Sequence, residues 1–428
     1  LVVKTNHRNQ YREDNNAQGH KPFKDKISRK GLINIPGINF LNTAFAGLHV
    51  YPYLTFVTLR QTCKMSITKE QVLEALRYVE EPDLKKDLVT LNMIRDVQIN
   101  GKEVSFTVVL TTPACPLKDL IRTACENAIV HYVDKDAIVK INMIADVTGR
   151  HPSKSSVLPG VKNIIAVSSG KGGVGKSTVA ANLAVALAAT GAKTGLVDAD
   201  IFGPSQPLMF GVEHEKLFAE EKDGKTLMVP VYKYGVKMVS IGFLVDKTQA
   251  VVWRGPMASR ALQQLFTDTI WGELDYLLVD LPPGTSDIHL TLASSFPVSG
   301  AVIVTTPQEV ALADARKGID MFRKPSINIP VLGLIENMAY FTPAELPENK
   351  YYIFGKGGGE KLAAEMNVPL LGSIPLVQSL RESGDNGIPE AMDPTTITGK
   401  IFHEIASRMA QQMAITNAEI QTRPAHAN

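Results

Sequence analysis

Apolar positions change their spacing twice along the chain. From Thr68 the spacing is helical: Val72, Leu73, Leu76 and Val79 share one face, and Thr68 with Gln71 makes a capping box. Two strand-like runs follow, "LVTLNMIRDVQI" and "EVSFTVVL", joined at Asn100-Gly101, a strong short hairpin signal. A second helix is expected from Pro116, and "AIVKINMIADV" reads as a further strand. Together these predict a small α+β domain over residues 65–148. "GRHPSKSSVLPG", within 149–160, has the Gly, Pro, Ser and Lys mixture of a linker.

From Val161 the apolar runs become nearly continuous: "NIIAVSS", "TGLVDAD", "YLLVDL", "AVIVTT" and "VLGLIEN". Such runs suit strands buried on both faces, and helical stretches separate them, one from Lys176 to Thr190 and a last one around Gly399 to Met413. Residues 161–415 are therefore expected to form an α/β domain, a doubly wound and mostly parallel sheet, with a tail over 416–428. No internal repeat is visible.

Length and composition fit this two-domain picture: 428 residues, 44% hydrophobic and 21% charged. Net charge is +2, and the basic excess sits in residues 1–64, leaving the rest slightly acidic. No nucleic-acid surface is expected on the main body. Residues 1–64 lack periodicity and the first methionine is Met65, so they are expected to be a disordered leader or an upstream, non-native extension. The uncharged stretch from Gly31 to Leu59 is interrupted by Asn34, Pro36, Asn39 and Asn42, which argues against a signal peptide or a membrane span. Three cysteines are too few for a disulfide framework, so a reducing, cytoplasmic setting is expected.

The stretch "IAVSSGKGGVGKST" fits two phosphate-binding fingerprints. Gly170, Gly172 and Gly175 make G-x-G-x-x-G, with Asp198 at the distance of a ribose-binding acid, the mark of a dinucleotide site and hydride transfer. Gly170 to Ser177 also make G-x-x-x-x-G-K-S, a P-loop. The P-loop reading is preferred because Lys176, Ser177 and Thr178 open a helix, where free amides and the helix dipole favour anions. It is also preferred because Asp280 ends the apolar run of "YLLVDLPPGTSD", where a Mg²⁺-supporting carboxylate belongs. "FGKGGGEK", from Phe354, lacks the G-K-S ending and reads as a turn leading into a helix.

Lys171, directly after Gly170, reads on spacing alone as a solvated lysine. With "DADIFGPS" and "DLPPGTSD", however, the loop resembles the deviant P-loop ATPases of the MinD and ParA type. That resemblance implies a nucleotide-sandwich homodimer in which Lys171 reaches the partner's phosphates. It further implies that residues Gly170, Lys171, Gly172, Gly173, Val174 and Gly175 wrap ATP and that Lys176 contacts its β- and γ-phosphates. Ser177 would ligate Mg²⁺ and Thr178 would bind the α-phosphate. Asp200 would position the attacking water, Asp280 would support Mg²⁺, and Asp198 would assist. Asn337, in "IENMAY", matches the segment whose Asn reads adenine.

"WRGPM", "LDYLLVDLPPGTSDIHLTLA", "ENMAYF" and "LGSIPL", taken in order with the P-loop, narrow the resemblance to the Mrp (ApbC) family of iron–sulfur cluster carrier ATPases. The small domain, marked by "TTPACPLKD", resembles the MIP18-type domain often fused ahead of that ATPase. The implied partners are apo iron–sulfur proteins and cluster assembly factors. One departure stands out: the family's C-x-x-C after "ENM-Y-F" is missing, and no Cys follows Cys125. Two readings stay open, a carrier whose iron–sulfur ligand lies elsewhere and a cluster-free switch that docks partners as MinD and ParA proteins do. Neither a basic amphipathic helix nor any other membrane anchor is expected.

Cys115 is the leading substitute ligand. As the expected cap of a helix beginning at Pro116, it would have its thiolate favoured by the helix dipole; the plain alternative is an incidental capping residue. Cys125 lies among Leu120, Ile121, Ala124, Ala128 and Ile129 and reads as core. His289 reads as a packed or capping histidine. Trp253, Arg254 and Met257 suit a partner surface or a core position equally.

Overall fold

The computed structural model describes residues 66–149, 157–222, 224–244, 255–285, 287–343, 345–346 and 348–422. The expectations for the leader, for Trp253 and Arg254 and for most of the linker lie outside these residues. The described residues from Ile67 onward form one compact unit.

The first helix, α1 (Lys69–Leu76), starts with the expected capping box, Thr68 and Gln71 exchanging bonds with each other's backbone. A two-residue ladder, β1 (Glu80–Glu81) with β2 (Lys86–Asp87), precedes the hairpin of β3 (Ile94–Asn100) and β4 (Glu103–Leu110). Gly101 turns that hairpin at φ +62°. β3 begins later than its apolar run suggests. Asp87 caps a turn by accepting from the Thr90 amide at 2.7 Å, and Asn92 adopts φ +58°. Helix α2 (Lys118–Tyr132) leads to β5 (Ile138–Ala145), which pairs in parallel with β4.

The larger sheet holds β6 (Val161–Ser169), β7 (Thr194–Asp198), β10 (Val231–Lys233), β11 (Val236–Ser240), β12 (Leu274–Asp280), β13 (Val298–Thr305), β14 (Val331–Glu336) and β15 (Leu370–Ser373). Its order is β10-β11-β7-β12-β6-β13-β14-β15, all neighbours parallel except the antiparallel edge pair β10–β11. A separate hairpin, β8 (Phe218–Lys222) and β9 (Lys225–Val229), stands outside it. The intervening helices are α3 (Lys176–Ala189), α4 (Gln206–Met209), α5 (Gly255–Thr267), α6 (Asp287–Ser295), α7 (Glu309–Arg323), α8 (Gly358–Glu365), α9 (Gln378–Asp385) and α10 (Ile397–Thr422). This is the expected doubly wound, mostly parallel α/β architecture behind a small α+β unit.

Alternation along the central strands explains why both faces are covered. In β6, Ile165 and Val167 join one buried cluster with Leu183 and Leu187 of α3 and Phe402 and Met409 of α10. Ile164 and Ala166 point the other way, into a cluster with Leu262 and Phe266 of α5 and Ile319 and Phe322 of α7. Helix α3 is buried continuously from Val179 to Leu187, so it is apolar on every side and shows no polar stripe.

The small unit is sealed onto the large one. Ala114 and Val147 belong to the same buried cluster as α3 and α10, and the Tyr276 hydroxyl donates to Thr112 Oγ1 at 3.0 Å. Gln411 of α10 donates to both carboxylate oxygens of Asp83 at 2.7 and 2.8 Å, and Asn417 donates to the Thr148 carbonyl at 2.8 Å. Of these contacts, that of Asn417 lies on the stretch of α10 running to Thr422, beyond the expected end at Met413. Because Asn417 also reaches Asn163, the last turns are held by polar contacts with distant residues, which apolar periodicity does not reveal.

Candidate functional site

Three strands deliver the chemistry to one edge of the sheet. Parallel register sets Asp280 of β12 beside Val167 of β6 and beside Asp198 of β7. Their carboxyl ends therefore converge at the position where open α/β sheets bind ligands. β6 runs straight into the glycine loop, which enters α3 through Gly175, in the left-handed region at φ +80°. A side chain there would be strained and would also collide with the Asn337 amide. Gly170 is needed for a different reason: a Cβ would run into the Asp314 carbonyl of α7.

The cleft is lined by residues 171–178 together with Asp200, Ser205, Met209 and Pro283. Lys176, its side chain only 6% exposed, turns inward. Its ammonium pairs with Asp280 Oδ1, donates to Ser177 Oγ at 3.3 Å and lies 3.9 Å from Asp200 Oδ2. Burial pushes Asp200 above the usual carboxylate range, while Lys176 acts in the opposite sense. Gly172, Gly173 and Val174 form the loop crest, with Thr178 one residue into the helix beyond Ser177. Lys171 is half-buried, and its ammonium has no ion-pair partner among the described residues.

Asp198, expected to assist, bonds to protein groups around it. It is fully buried and accepts from the Ser240 hydroxyl at 2.9 Å and from the amides of Gln206 and Asp200 at 3.1 and 3.3 Å. Burial and the neighbouring Asp280 push its pKa up to about 7. It anchors the 199–206 segment from beneath. Asn337, expected to meet adenine, is likewise buried, and its amide donates to the Val174 carbonyl at 2.8 Å, bracing the loop. His289 is buried with Nε2 at 3.3 Å from Ser168 Oγ, in keeping with a packed histidine. Met257 is exposed.

Cys115 needs a correction. Helix α2 begins at Lys118 with Leu117 as its cap, because Thr112 organises a turn ahead of it, bonding the Ala114 amide through its hydroxyl and the Cys115 amide through its carbonyl. The thiol is therefore not a helix cap. Burial pushes its pKa up, and Glu81 and Asp83 add to the rise. It lies at the seam between the two units, in a pocket shared with Glu81, Asp83 and Gln411. Cys125 is core, as expected, its pKa pushed by burial to about 12.

Sequence reasoning missed Gln206. Fully buried at the start of α4, it donates through Nε2 to Asp280 Oδ2 at 2.8 Å and to the Ser177 carbonyl at 3.0 Å. The only available signal was a polar residue between Ser205 and Pro207, inside a helix too short to show a period. Two further oxygens lining the cleft, Asp200 Oδ1 and Ser205 Oγ, are buried with no hydrogen-bond partner among the described residues.

Comparison with known proteins adds a context to this geometry. The family described as ParA, NUBPL iron-transfer P-loop NTPase, matches residues 160–410, and one described as iron–sulfur cluster assembly protein matches residues 69–143. An iron–sulfur cluster carrier protein of Synechocystis is 50% identical over 82% of this chain and 99% of its own length. One from Escherichia coli is 43% identical over 81% of this chain and 92% of its own. Among solved structures, a nucleotide-binding protein from Archaeoglobus fulgidus in complex with ADP is 38% identical, with a TM-score of 0.49, covering 57% of this chain and 95% of that one.

Proposed function

The chain belongs to the NUBPL-type iron-transfer P-loop NTPases, and from that premise we propose that it is an ATP-hydrolysing carrier that binds iron–sulfur clusters and passes them to apoproteins. The observation that carries this reading is the meeting of Lys176, Ser177, Asp200 and Asp280 in one cleft at the carboxyl ends of β6, β7 and β12. Amides of residues 170–175 wrap the phosphates of ATP, Lys176 neutralises the β- and γ-phosphates, and Thr178 receives the α-phosphate. Asp200 orients the attacking water. Phosphoryl transfer asks little else of a protein than such positioning and charge neutralisation.

The donor set also fits Mg²⁺. Ser177 Oγ and the Asp280 carboxylate are hard oxygen ligands, and the unpartnered Asp200 Oδ1 and Ser205 Oγ suit the hydrogen-bonding shell of a hydrated ion. When bound, such an ion would supply positive charge that offsets the charge of the phosphates. Lys171, with no ion-pair partner among the described residues, acts on the nucleotide of a second copy in a homodimer. The working compartment is the cytoplasm; no helix among the described residues is long and apolar enough to cross a membrane.

The cargo meets the chain at Cys115, the less buried of the two described cysteines. A second reading, a cluster-free switch that docks partner proteins, is favoured by one observation, the absence of any cysteine after Cys125. The carriers matched over nearly their whole length favour the cargo-bearing reading. Anaerobic reconstitution with iron and sulfide tests it: bound iron and visible absorbance are expected in the full chain and are lost in Cys115→Ser. A colourless full chain that still binds ATP would leave the switch as the function. Lys176→Ala is expected to weaken ATP binding at least about tenfold, the loss of a charged contact. Unchanged affinity would refute the site assignment.

A further inference from the structure

Gln206 brings together the three segments of the cleft. It follows the 199–205 segment directly, its amide N–H donates to Asp198 Oδ2 at 3.1 Å, and its side-chain Nε2 donates to Asp280 Oδ2 at 2.8 Å and to the Ser177 carbonyl at 3.0 Å. The side chain is fully buried, which is costly for an amide unless its bonds have purpose, and its Oε1 has no partner among the described residues. Two carboxylates lie side by side on β7 and β12, and Gln206 supplies one N–H to each. Lys176 holds Asp280 by its other oxygen, Oδ1. Between them, Lys176 and Gln206 fix both oxygens of Asp280.

We infer that Gln206 is a positioning residue for cation binding. It orients the Asp280 carboxylate toward Ser177 and ties that orientation to the placement of the 199–206 segment. This rests on the nucleotide-binding reading above. Gln206 touches no phosphate in this scheme, since the loop amides and Lys176 make those contacts. Its removal should leave the nucleotide cradle intact and weaken the hold on the metal. A residue that only filled space would not separate the two.

The test uses the full chain and a fluorescent ATP analogue, titrated first in EDTA and then with Mg²⁺ at fixed nucleotide. Gln206→Met keeps the length of the side chain and removes both donors. It is expected to keep the metal-free nucleotide affinity within about twofold and to raise the Mg²⁺ concentration for half-effect about tenfold, as loss of one hydrogen bond to a charged group implies. If Gln206→Met does not fold, Gln206→Asn takes its place. Its shorter amide cannot span to Asp280, and a rise of at least about threefold is required. A Mg²⁺ requirement within about twofold of the parent in a folded variant overturns the inference, as does equal weakening of metal-free and metal-dependent binding. Failure of the parent chain itself to bind the analogue would refute the nucleotide site, and is thereby distinguishable from failure of Gln206 alone.

Discussion

Replacing Lys176 by Met, in EDTA and without nucleotide, isolates what the lysine does for the fold. Its ammonium is the cation nearest to three buried or nearly buried carboxylates: it pairs with Asp280, lies 3.9 Å from Asp200 and lowers the pKa of Asp198. Leaving a buried ion pair without one partner costs about 3–5 kcal/mol. Unfolding entropy near 2.1 cal/mol/K per residue, over a unit of roughly 360 residues, converts each kcal/mol to about 1.3 °C. The melting temperature should therefore fall by about 4–7 °C. The carboxyls can escape part of this cost by taking up a proton, and this fixes the pH dependence. Asp198 and Asp200 already have raised pKa values in the folded state, so their stabilising contribution is present in full below the unfolded pKa and is lost as pH rises through the folded one. Without Lys176 those folded values rise further, and the deficit should be small near about pH 5 and largest above about pH 8. Differential scanning calorimetry of both proteins from about pH 5 to 9 measures it. A variant as stable as the parent at about pH 8, or one whose deficit shrinks as pH rises, would show that Lys176 does not neutralise these carboxylates.

Gly175→Ala should cost about 1–3 kcal/mol and abolish nucleotide binding, since it combines a φ of +80° with a collision against the Asn337 amide; a melt and an ATP titration check both. Tyr276→Phe should lower stability by about 1 kcal/mol through loss of the bond to Thr112, measured by urea unfolding, without altering ATP affinity. Cys115 should react with iodoacetamide at about pH 8 more slowly than a free thiol, because a raised pKa lowers its thiolate fraction, and should approach the free-thiol rate only as pH passes that raised value. Cys125, pushed to about 12 and buried, should react only after unfolding, as peptide mapping of alkylated protein can show.

The P-loop, the parallel sheet and the position of Asp280 were legible because each is encoded locally. A glycine spacing, a Lys-Ser pair and an apolar run ending in Asp need no knowledge of what packs nearby. Gln206 was missed, and the bonds made by Asp198 and Asn337 were not legible, because they come from partners far away in sequence. Asn337 is a brace because α3 begins above it, and Asp198 is an anchor because Ser240 on β11 reaches it. Cys115 fails as a helix cap for a similar reason: the Thr112 turn delays the helix, and composition alone favoured the proline as its start. The seam between the two units was invisible for want of any pattern: besides isolated apolar residues such as Ala114 and Val147, it is made of single polar residues, Thr112, Asp83 and Thr148, answered by Tyr276, Gln411 and Asn417.

The seam and the cleft lie on the same strands, and this limits how the molecule can switch. Tyr276, bonded across the seam, and Asp280, at the cleft, lie four positions apart on β12, about 13 Å at the rise of a strand. β12 is paired on both sides, to β6 and β7, and its residues from Tyr276 to Asp280 are buried. Shifting such a strand would break ladder bonds on two edges and disturb packing on two faces, which close-packed interiors resist. The nucleotide-dependent motion that the proposed function requires would thus be confined to the segments that leave the strands, 199–206 after β7 and 281–285 after β12. Gly284, at φ +82° with open space where a Cβ would stand, has the freedom to move, whereas the 199–206 segment is held at its far end by Gln206. In the function proposed above, the small unit would ride on a rigid base, and a change at the cleft would reach the proposed cargo site by altering what docks on those loops rather than by bending the sheet.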